Sequence, residues 1–152
     1  MASATTPQAK TSFPKDQIKV LLLENIHPSA NEMFGFEGFQ IERLAGALSP
    51  EQLKEKIRDV HILGIRSKTT VTEEVLSAAN RLLTIGAFCI GTNQIDLTAA
   101  RKRGIPVFNA PFGNTRSVAE MILAEIIVLA RQLGSRSMEM HRKEWKKISN
   151  NC

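Results

Sequence analysis

The feature that most constrains the fold of this chain is a repeated alternation of short apolar runs with helical patterns. Five apolar runs have the composition of β-strands, at residues 18–24, 39–44, 60–65, 82–90 and 105–110. A helical pattern follows each run, as in a series of βα units. The sequence therefore predicts an α/β domain with a parallel sheet and helices on both faces.

Four helix starts carry residues that cap the first turn. These are Ser49 with Gln52 in a capping box, Thr72, Asp96, and Ser117 with Glu120 in a second capping box. Gly104 is placed to end the helix that Asp96 begins. The last cap predicts a long helix that starts at residue 117.

The charge distribution argues against a nucleic-acid partner. The net charge is +5, but basic and acidic side chains balance between residues 16 and 135. The excess lies in residues 1–15 and 136–147. The chain has one Trp and no Tyr, and aromatic residues do not alternate with basic ones as they do in a groove that stacks bases. We therefore expect no nucleic-acid partner.

Nothing in the composition indicates a membrane or secreted protein. The most apolar window, residues 121–130, contains Glu125 and is too short to cross a bilayer. Two cysteines form no disulfide framework, which favours a reducing, cytoplasmic location. Residues 1–15 are rich in Ala, Ser and Thr without an apolar core, so we expect a disordered tail rather than a targeting signal.

The usual sequence motifs for metals and nucleotides are absent. His27, His61 and His141 have no metal-ligand or catalytic-triad spacing, and we expect no metal site. The nine glycines are scattered, with neither GxGxxG nor GxxxxGK[ST] among them. The chain therefore has no glycine-rich loop to bind phosphates.

Polar residues follow the third strand without a spacer, in the stretch RSKTT at residues 66–70. Ligands of parallel sheets bind at the carboxyl ends of the strands, where residues 91–93 and 109–114 also fall. Arg66 can form a two-pronged contact with a carboxylate, and adjacent backbone N–H groups can complete an anion cage. Ser67 and Lys68 add donors for a second anionic group. The alternative is that Arg66 is an ordinary surface cation.

The last predicted helix is unusually apolar. Between Val118 and Leu133, apolar residues occupy nearly every face, interrupted by only four polar side chains. A helix of this kind requires burial on all sides. One small sheet cannot provide that burial, so we expect cover from outside this chain.

Several stretches together resemble the N-terminal part of the D-2-hydroxyacid dehydrogenase family. The resemblance runs from about Ile18 to the end of the chain. Two segments carry most of it: IGTNQIDLTAARKRGIPVFNAP at residues 90–111 and NTRSVAE at residues 114–120.

The resemblance implies a flavodoxin-like substrate-binding domain, of which residues 16–116 form the N-terminal half. Residues 117–152 would then be a linker helix and the start of an NAD-binding Rossmann domain that this chain lacks. In the family the glycine-rich cofactor loop follows shortly after the position of residue 152, and the catalytic Arg, Glu and His come later. No residue of this chain is therefore expected to be catalytic, and we expect NAD to bind only the full-length enzyme.

The resemblance also assigns roles to individual residues. Arg66, Ser67 and Lys68 match the loop that holds the acid substrate, and Asn114 matches a hinge position. Ile90 and Gly91 match the strand end facing the nicotinamide. Finally, Lys147 matches a basic position that binds anions near a neighbouring subunit.

The function implied by the resemblance is NAD-dependent oxidation of a phosphorylated 2-hydroxy acid. The reaction would convert 3-phosphoglycerate to 3-phosphohydroxypyruvate in serine biosynthesis, in a homo-oligomer formed through the helix at residues 118–133. The alternative is a non-catalytic interaction module that pairs with full-length subunits. The continuation of the reading frame distinguishes the two, because a strand followed by GxGxxG would indicate the enzyme.

Overall fold

A computed structural model of the protein describes residues 13–145. The chain divides into two compact units, with the division between Pro111 and Phe112. Of the predicted tail at residues 1–15, only the end is described. There Lys15–Gln17 form a short 3-10 helix, and the Phe13 ring lies 5.7 Å from that of His61.

The first unit contains a five-stranded parallel sheet, as the alternating pattern predicts. The strands are β1 (Lys19–Leu22), β2 (Gln40–Arg43), β3 (Ile62–Ile65), β4 (Thr84–Ala87) and β5 (Val107–Asn109). Their spatial order is β2-β1-β3-β4-β5, with every neighbouring pair parallel. This is the flavodoxin-like order. From β1 the chain adds β2 on one side, and it then adds β3, β4 and β5 on the other side, so the strand order reverses between β1 and β3.

Four helices connect these strands: α1 (Pro28–Phe36), α2 (Pro50–Lys56), α3 (Glu73–Ala78) and α4 (Leu97–Lys102). Three predicted caps are confirmed. Ser49 and Gln52 form the full capping box of α2, the Thr72 hydroxyl accepts from the N–H of Val75, and the Asp96 carboxylate accepts from that of Ala99. Gly104 follows α4 with φ of +68°, a conformation that favours glycine.

The core lies on both faces of the sheet. On one face, alternate residues of β1, β3 and β4 pack against α2, α3 and α4. Fully buried leucines and isoleucines dominate this larger cluster, among them Leu21, Leu53, Leu63, Ile65 and Ile85. On the other face, Val20, Leu22 and Ile26 pack with Ala30 of α1. The larger cluster anchors β1 and β3, and so fixes where their carboxyl ends lie.

The second unit contains α5 (Thr115–Ala130) and α6 (Leu133–His141). The predicted start of the long helix at residue 117 is wrong. Asn114 is the N-cap, without a side-chain capping hydrogen bond, and Ser117 lies inside the first turn. The Glu120 carboxylate accepts from Nε of Arg116 at 2.6 Å, one helical turn earlier. That ion pair replaces the predicted capping box.

The prediction of one continuous helix through Leu133 is also wrong. Helix α5 ends at Ala130, and Gln132 has φ of +52°. A left-handed residue cannot continue a right-handed helix, and Leu133 begins α6. The sequence also predicted that this chain alone could not bury the apolar helix. That prediction is confirmed, because α5 buries none of its residues.

Candidate functional site

The ends of β1 and β3 lie side by side at the point where the strand order reverses. The two strands pair in register from Val20 with Ile62 to Leu22 with Gly64. Packing between them is tight at this end, since a Cβ on Gly64 would lie 2.6 Å from Cδ2 of Leu22. The residues that follow, Glu24 after β1 and Arg66 after β3, therefore meet at the edge where such sheets bind ligands.

A buried carboxylate holds the loop that follows β3. Oε1 of Glu24 accepts from the backbone N–H of Arg66 at 3.1 Å and of Thr69 at 2.8 Å, and Oε2 accepts from that of Lys68 at 2.9 Å. The expectation that these N–H groups complete a cage around a ligand is therefore wrong for all three. The anion they bind belongs to the protein.

The Glu24 carboxylate is charged despite its burial. Burial alone raises its pKa, but the nearby Thr69 hydroxyl and the N–H groups of Lys68, Thr69 and Arg66 outweigh this effect and hold the pKa below its usual value. Within residues 13–145 the buried Thr69 hydroxyl makes no hydrogen bond of standard geometry.

The side chains of the loop remain available to a ligand. Arg66, Ser67 and Lys68 are all exposed. Among residues 13–145, the one hydrogen bond of the Arg66 guanidinium is long, at 3.4 Å from Nη1 to the carbonyl oxygen of Glu24. In the part of the chain that the structure describes, the Ser67 hydroxyl and the Lys68 ammonium have no partner. The structure thus leaves the three side chains that the sequence identified exposed at this edge of the sheet.

A cleft of about 400 Å³ opens beside Arg66. Its lining residues are Asn25, Ile26, His27, Pro28, Arg66 and Phe88. The cleft adjoins the start of α1, where Nδ1 of His27 accepts from the N–H of Ser29 at 3.2 Å. The sequence interpretation did not identify Glu24, Asn25 or His27. The signal for Glu24 was an acidic residue directly after the four apolar residues at positions 20–23.

The side chain of Gln94 connects the Arg66 loop to the loop after β4. Its Nε2 donates to the carbonyl oxygen of Arg66 at 2.8 Å and to that of Gly91 at 3.2 Å. Nearby, Nδ2 of Asn109 donates to the carbonyl of Ile90 at 2.7 Å. The ends of β1, β3, β4 and β5 are thus joined by side-chain amides and one carboxylate.

A larger cavity of about 600 Å³ lies along α1 and has an apolar lining. It contains Met33, Phe36 and Phe39, with Glu32 and Glu37 as its charged groups. The ammonium of Lys15 already pairs with Glu37 at 2.5 Å, so the lining offers no free cation to an acidic ligand. The smaller cleft with Arg66 is the better candidate.

Two further residues, Asn114 and Lys147, were predicted to belong to the site. Asn114 belongs to the second unit, where it precedes α5. Lys147 lies outside the described residues. His61, for which the sequence predicted no site role, is buried and accepts from the N–H of Lys19 through Nδ1 at 3.0 Å.

The described residues contain neither a group of metal ligands nor a helix that could cross a membrane. Between residues 13 and 145, no three His, Cys, Asp or Glu side chains converge in a way that could hold a metal ion. Within the same range, every helix is too short or too polar to span a bilayer.

Comparison with known proteins identifies the class. Residues 20–144 match the family model of the D-isomer specific 2-hydroxyacid dehydrogenase catalytic domain. The chain belongs to this family of oxidoreductases, as its sequence resemblance indicated. The loop after β3, which contains Arg66, lies within the matched range.

The curated relatives point to one member of the family. The chain is 62% identical over 142 residues to "D-3-phosphoglycerate dehydrogenase" of Dictyostelium discoideum, and 54% identical over 142 residues to the protein of that name in Escherichia coli K12. In each case 93% of this chain is matched, but only 35% of the relative. The chain thus spans about a third of the length of these relatives.

Solved structures confirm the fold. The D-lactate dehydrogenase of Aquifex aeolicus, solved with NAD and lactic acid, superposes with a TM-score of 0.73 at 22% identity. The superposition covers 88% of this chain and 40% of the chain of that dehydrogenase. The PH0520 protein of Pyrococcus horikoshii superposes with a TM-score of 0.70 at 30% identity, covering 86% of this chain and matched over 38% of its own.

Proposed function

We propose that this chain is the N-terminal substrate-binding part of an NAD-dependent D-3-phosphoglycerate dehydrogenase. The observation that carries the proposal is the loop after β3. It presents one guanidinium, one hydroxyl and one ammonium without strong internal partners, at the edge where the strand order reverses. The names of the relatives supply the substrate that this set of donors fits.

The donors suit an acid that carries two anionic groups. The planar guanidinium of Arg66 can hold the carboxylate through two parallel hydrogen bonds, which also orients the adjacent 2-hydroxyl group. Lys68 is a point charge at the same edge and suits the phosphate. Ser67 donates one further hydrogen bond. Together they would hold C2 in a fixed position relative to the cofactor.

The residues of this chain can face a nicotinamide but cannot hold a dinucleotide. Ile90 and Gly91 follow β4 and are both exposed, so a flat ring could approach them. Nothing in the sequence provides a glycine-rich loop for the pyrophosphate. We therefore place NAD binding mainly in the part of the relatives that lies beyond the matched region. The chemistry NAD supplies when bound is acceptance of the hydride that leaves C2, while the hydroxyl proton passes to a base outside this chain.

The apolar face of α5 suggests the partner. Its side chains include Ile122, Ile126 and Leu129, each more than half exposed. We propose that they pack in a homo-oligomer of the full-length enzyme, located in the cytoplasm.

The test is turnover by the full-length protein. It can be expressed from the complete reading frame or by joining residues 1–152 to the remainder of the Dictyostelium relative. We expect NADH-dependent reduction of 3-phosphohydroxypyruvate with a kcat/KM well above that for unphosphorylated hydroxypyruvate. Residues 1–152 alone are the matched control and should show no turnover. A full-length enzyme that prefers pyruvate or hydroxypyruvate would contradict the proposal.

A further inference from the structure

We propose that Glu24 is the positioning residue of the substrate loop. Its carboxylate fixes the backbone of residues 66–69, and this backbone sets where the Arg66, Ser67 and Lys68 side chains leave the sheet edge. The inference rests on the proposed function, because it takes the loop to be the substrate-binding element. Glu24 itself touches no substrate in this account.

The hydrogen bonds span the whole loop. The Glu24 carboxylate binds the first residue of the loop, Arg66, the last, Thr69, and Lys68 between them, at 2.8 to 3.1 Å. Hydrogen bonds to a charged acceptor are roughly twice as strong as neutral ones. Three of them on four consecutive residues leave the loop backbone little freedom.

Position and burial make this carboxylate hard to replace. Glu24 is only 7% exposed and lies 42 to 45 residues away from its three partners along the chain. Each loop end is anchored as well, since Ile65 and Thr69 are fully buried. Water therefore cannot readily take over the role of the carboxylate if it is removed.

The backbone around Glu24 is unusual in a way that serves this contact. Glu24 and the next residue, Asn25, have φ of +60° and +51°. Two consecutive non-glycine residues in the left-handed region are costly and persist only where the surrounding structure enforces them. The turn ends β1 and brings the Glu24 side chain across to β3. Its own N–H donates to the carbonyl of Gly46 at 3.2 Å, which holds the turn in place.

A fixed loop has a direct consequence for ligand binding. A loop that is ordered before the substrate arrives does not lose conformational entropy on binding, so more of the contact energy appears as affinity. Loss of Glu24 should therefore weaken binding of the acid substrate and leave binding of the dinucleotide unchanged.

The decisive variant is Glu24→Gln in the full-length enzyme. The amide keeps the shape of the side chain but replaces one acceptor oxygen with an NH₂ group, which faces an N–H donor. We expect KM for the acid to rise about ten- to hundredfold, with kcat changed by less than about threefold and KM for NAD unchanged. Glu55→Gln, at an exposed position of α2, removes the same charge and should match the wild type. An unchanged KM for the acid in Glu24→Gln would overturn the proposal.

Amide hydrogen exchange separates this inference from the proposed function. In Glu24→Gln, the amides of Arg66, Lys68 and Thr69 should exchange at least about tenfold faster than in the wild type, while those of β3 remain protected. This holds whichever 2-hydroxy acid the enzyme prefers, and KM is then measured for that acid. Failure of 3-phosphoglycerate turnover in the wild type counts only against the proposed function. Unchanged loop exchange counts only against Glu24.

If Glu24→Gln does not fold, the wild-type protein still provides a test. The amide chemical shifts of Arg66, Lys68 and Thr69 should move together with one transition as the pH is lowered, because all three donate to one carboxylate. The amides of exposed residues on α2 should not follow that transition. Independent transitions at the three amides would overturn the proposal.

Discussion

The backbone N–H of Thr69 donates to Oε1 of Glu24 at 2.8 Å, across 45 residues of sequence. This bond connects the end of β1 to the loop after β3, at the reversal point of the sheet. It gives the loop an internal anion, so that the backbone donors are occupied while the exposed side chains of Arg66, Ser67 and Lys68 remain available. The loop is thus built to present side chains rather than backbone to its ligand.

Gln94 should contribute to stability through the connection it makes between two loops. Its side chain is buried and donates to the carbonyl oxygens of Arg66 and Gly91. Replacing it with Leu leaves both carbonyls without this donor, and we expect a loss of about 1–3 kcal/mol in the free energy of unfolding. Chemical denaturation measures this. Gln17→Leu, at an exposed position of the short 3-10 helix, is the control and should change stability by less than about 0.5 kcal/mol. A loss in Gln94→Leu no larger than in the control would contradict this role.

Lys68→Ala should lower kcat/KM for the acid substrate less than loss of Arg66 does. The ammonium is exposed and flexible, so solvent screens its charge and salt weakens its attraction further. We expect kcat/KM to fall by about three- to tenfold at low salt, with the difference from wild type shrinking as salt is added. Steady-state kinetics at two ionic strengths measure this. A loss that does not depend on salt would show that Lys68 acts through packing.

Most of the fold follows from local patterns in the sequence. Five apolar runs and the caps at Ser49, Thr72 and Asp96 depend on neighbouring residues only, and the structure confirms all of them. The errors lie in α5. There the pair Ser117 and Glu120 fits a capping box by spacing, but Arg116 competes for the carboxylate.

The candidate site was predictable only in part, for a similar reason. Arg66, Ser67 and Lys68 can be identified from the sequence because they directly follow an apolar run. The role of Glu24 depends on a contact between distant segments, which no local pattern encodes. The left-handed turn at Glu24 and Asn25 also contains no glycine from which the sequence could predict it.

His61 should make the folded state less stable in mild acid. Burial, together with the nearby Arg81 and Lys19, holds its pKa below the usual value, although Asp59 acts in the opposite direction. The unfolded chain therefore binds a proton at a higher pH than the folded chain does. The contribution to stability is complete above about pH 6.5 and is lost as the pH falls through the folded-state pKa.

The variant His61→Asn tests this pH dependence. Its Oδ1 can still accept from the N–H of Lys19 but does not titrate. Melting curves between pH 8 and pH 5.5 should show a smaller fall in Tm for His61→Asn than for the wild type. Equal falls would exclude His61 as the cause.

The apolar face of α5 should mediate assembly. Leu129 is 76% exposed and Ile126 is 57% exposed, and burying such side chains stabilises an interface by about 1.5–3 kcal/mol each. We expect the full-length protein to sediment as a dimer or larger species, and Ile126→Glu with Leu129→Glu to shift it to the monomer. The control Glu125→Gln, on the same helix, should not dissociate it. A wild-type monomer across a wide concentration range would contradict the prediction.

The central claim is that the loop after β3 binds the acid substrate, and Arg66 tests it most directly. The measurement is kcat/KM for the acid in full-length Arg66→Ala and Arg66→Lys, beside a melting curve for each. We expect Arg66→Ala to lower kcat/KM by roughly ten- to several hundredfold, because charged hydrogen bonds contribute about 1.5–3 kcal/mol each. Arg66→Lys should recover only part of this, since an ammonium cannot reproduce the planar fork. Arg58→Ala, at an exposed position in the turn that precedes β3, is the control, and Tm should be unchanged in all three variants. Wild-type kcat/KM in Arg66→Ala, or a loss that follows Tm, would contradict the claim.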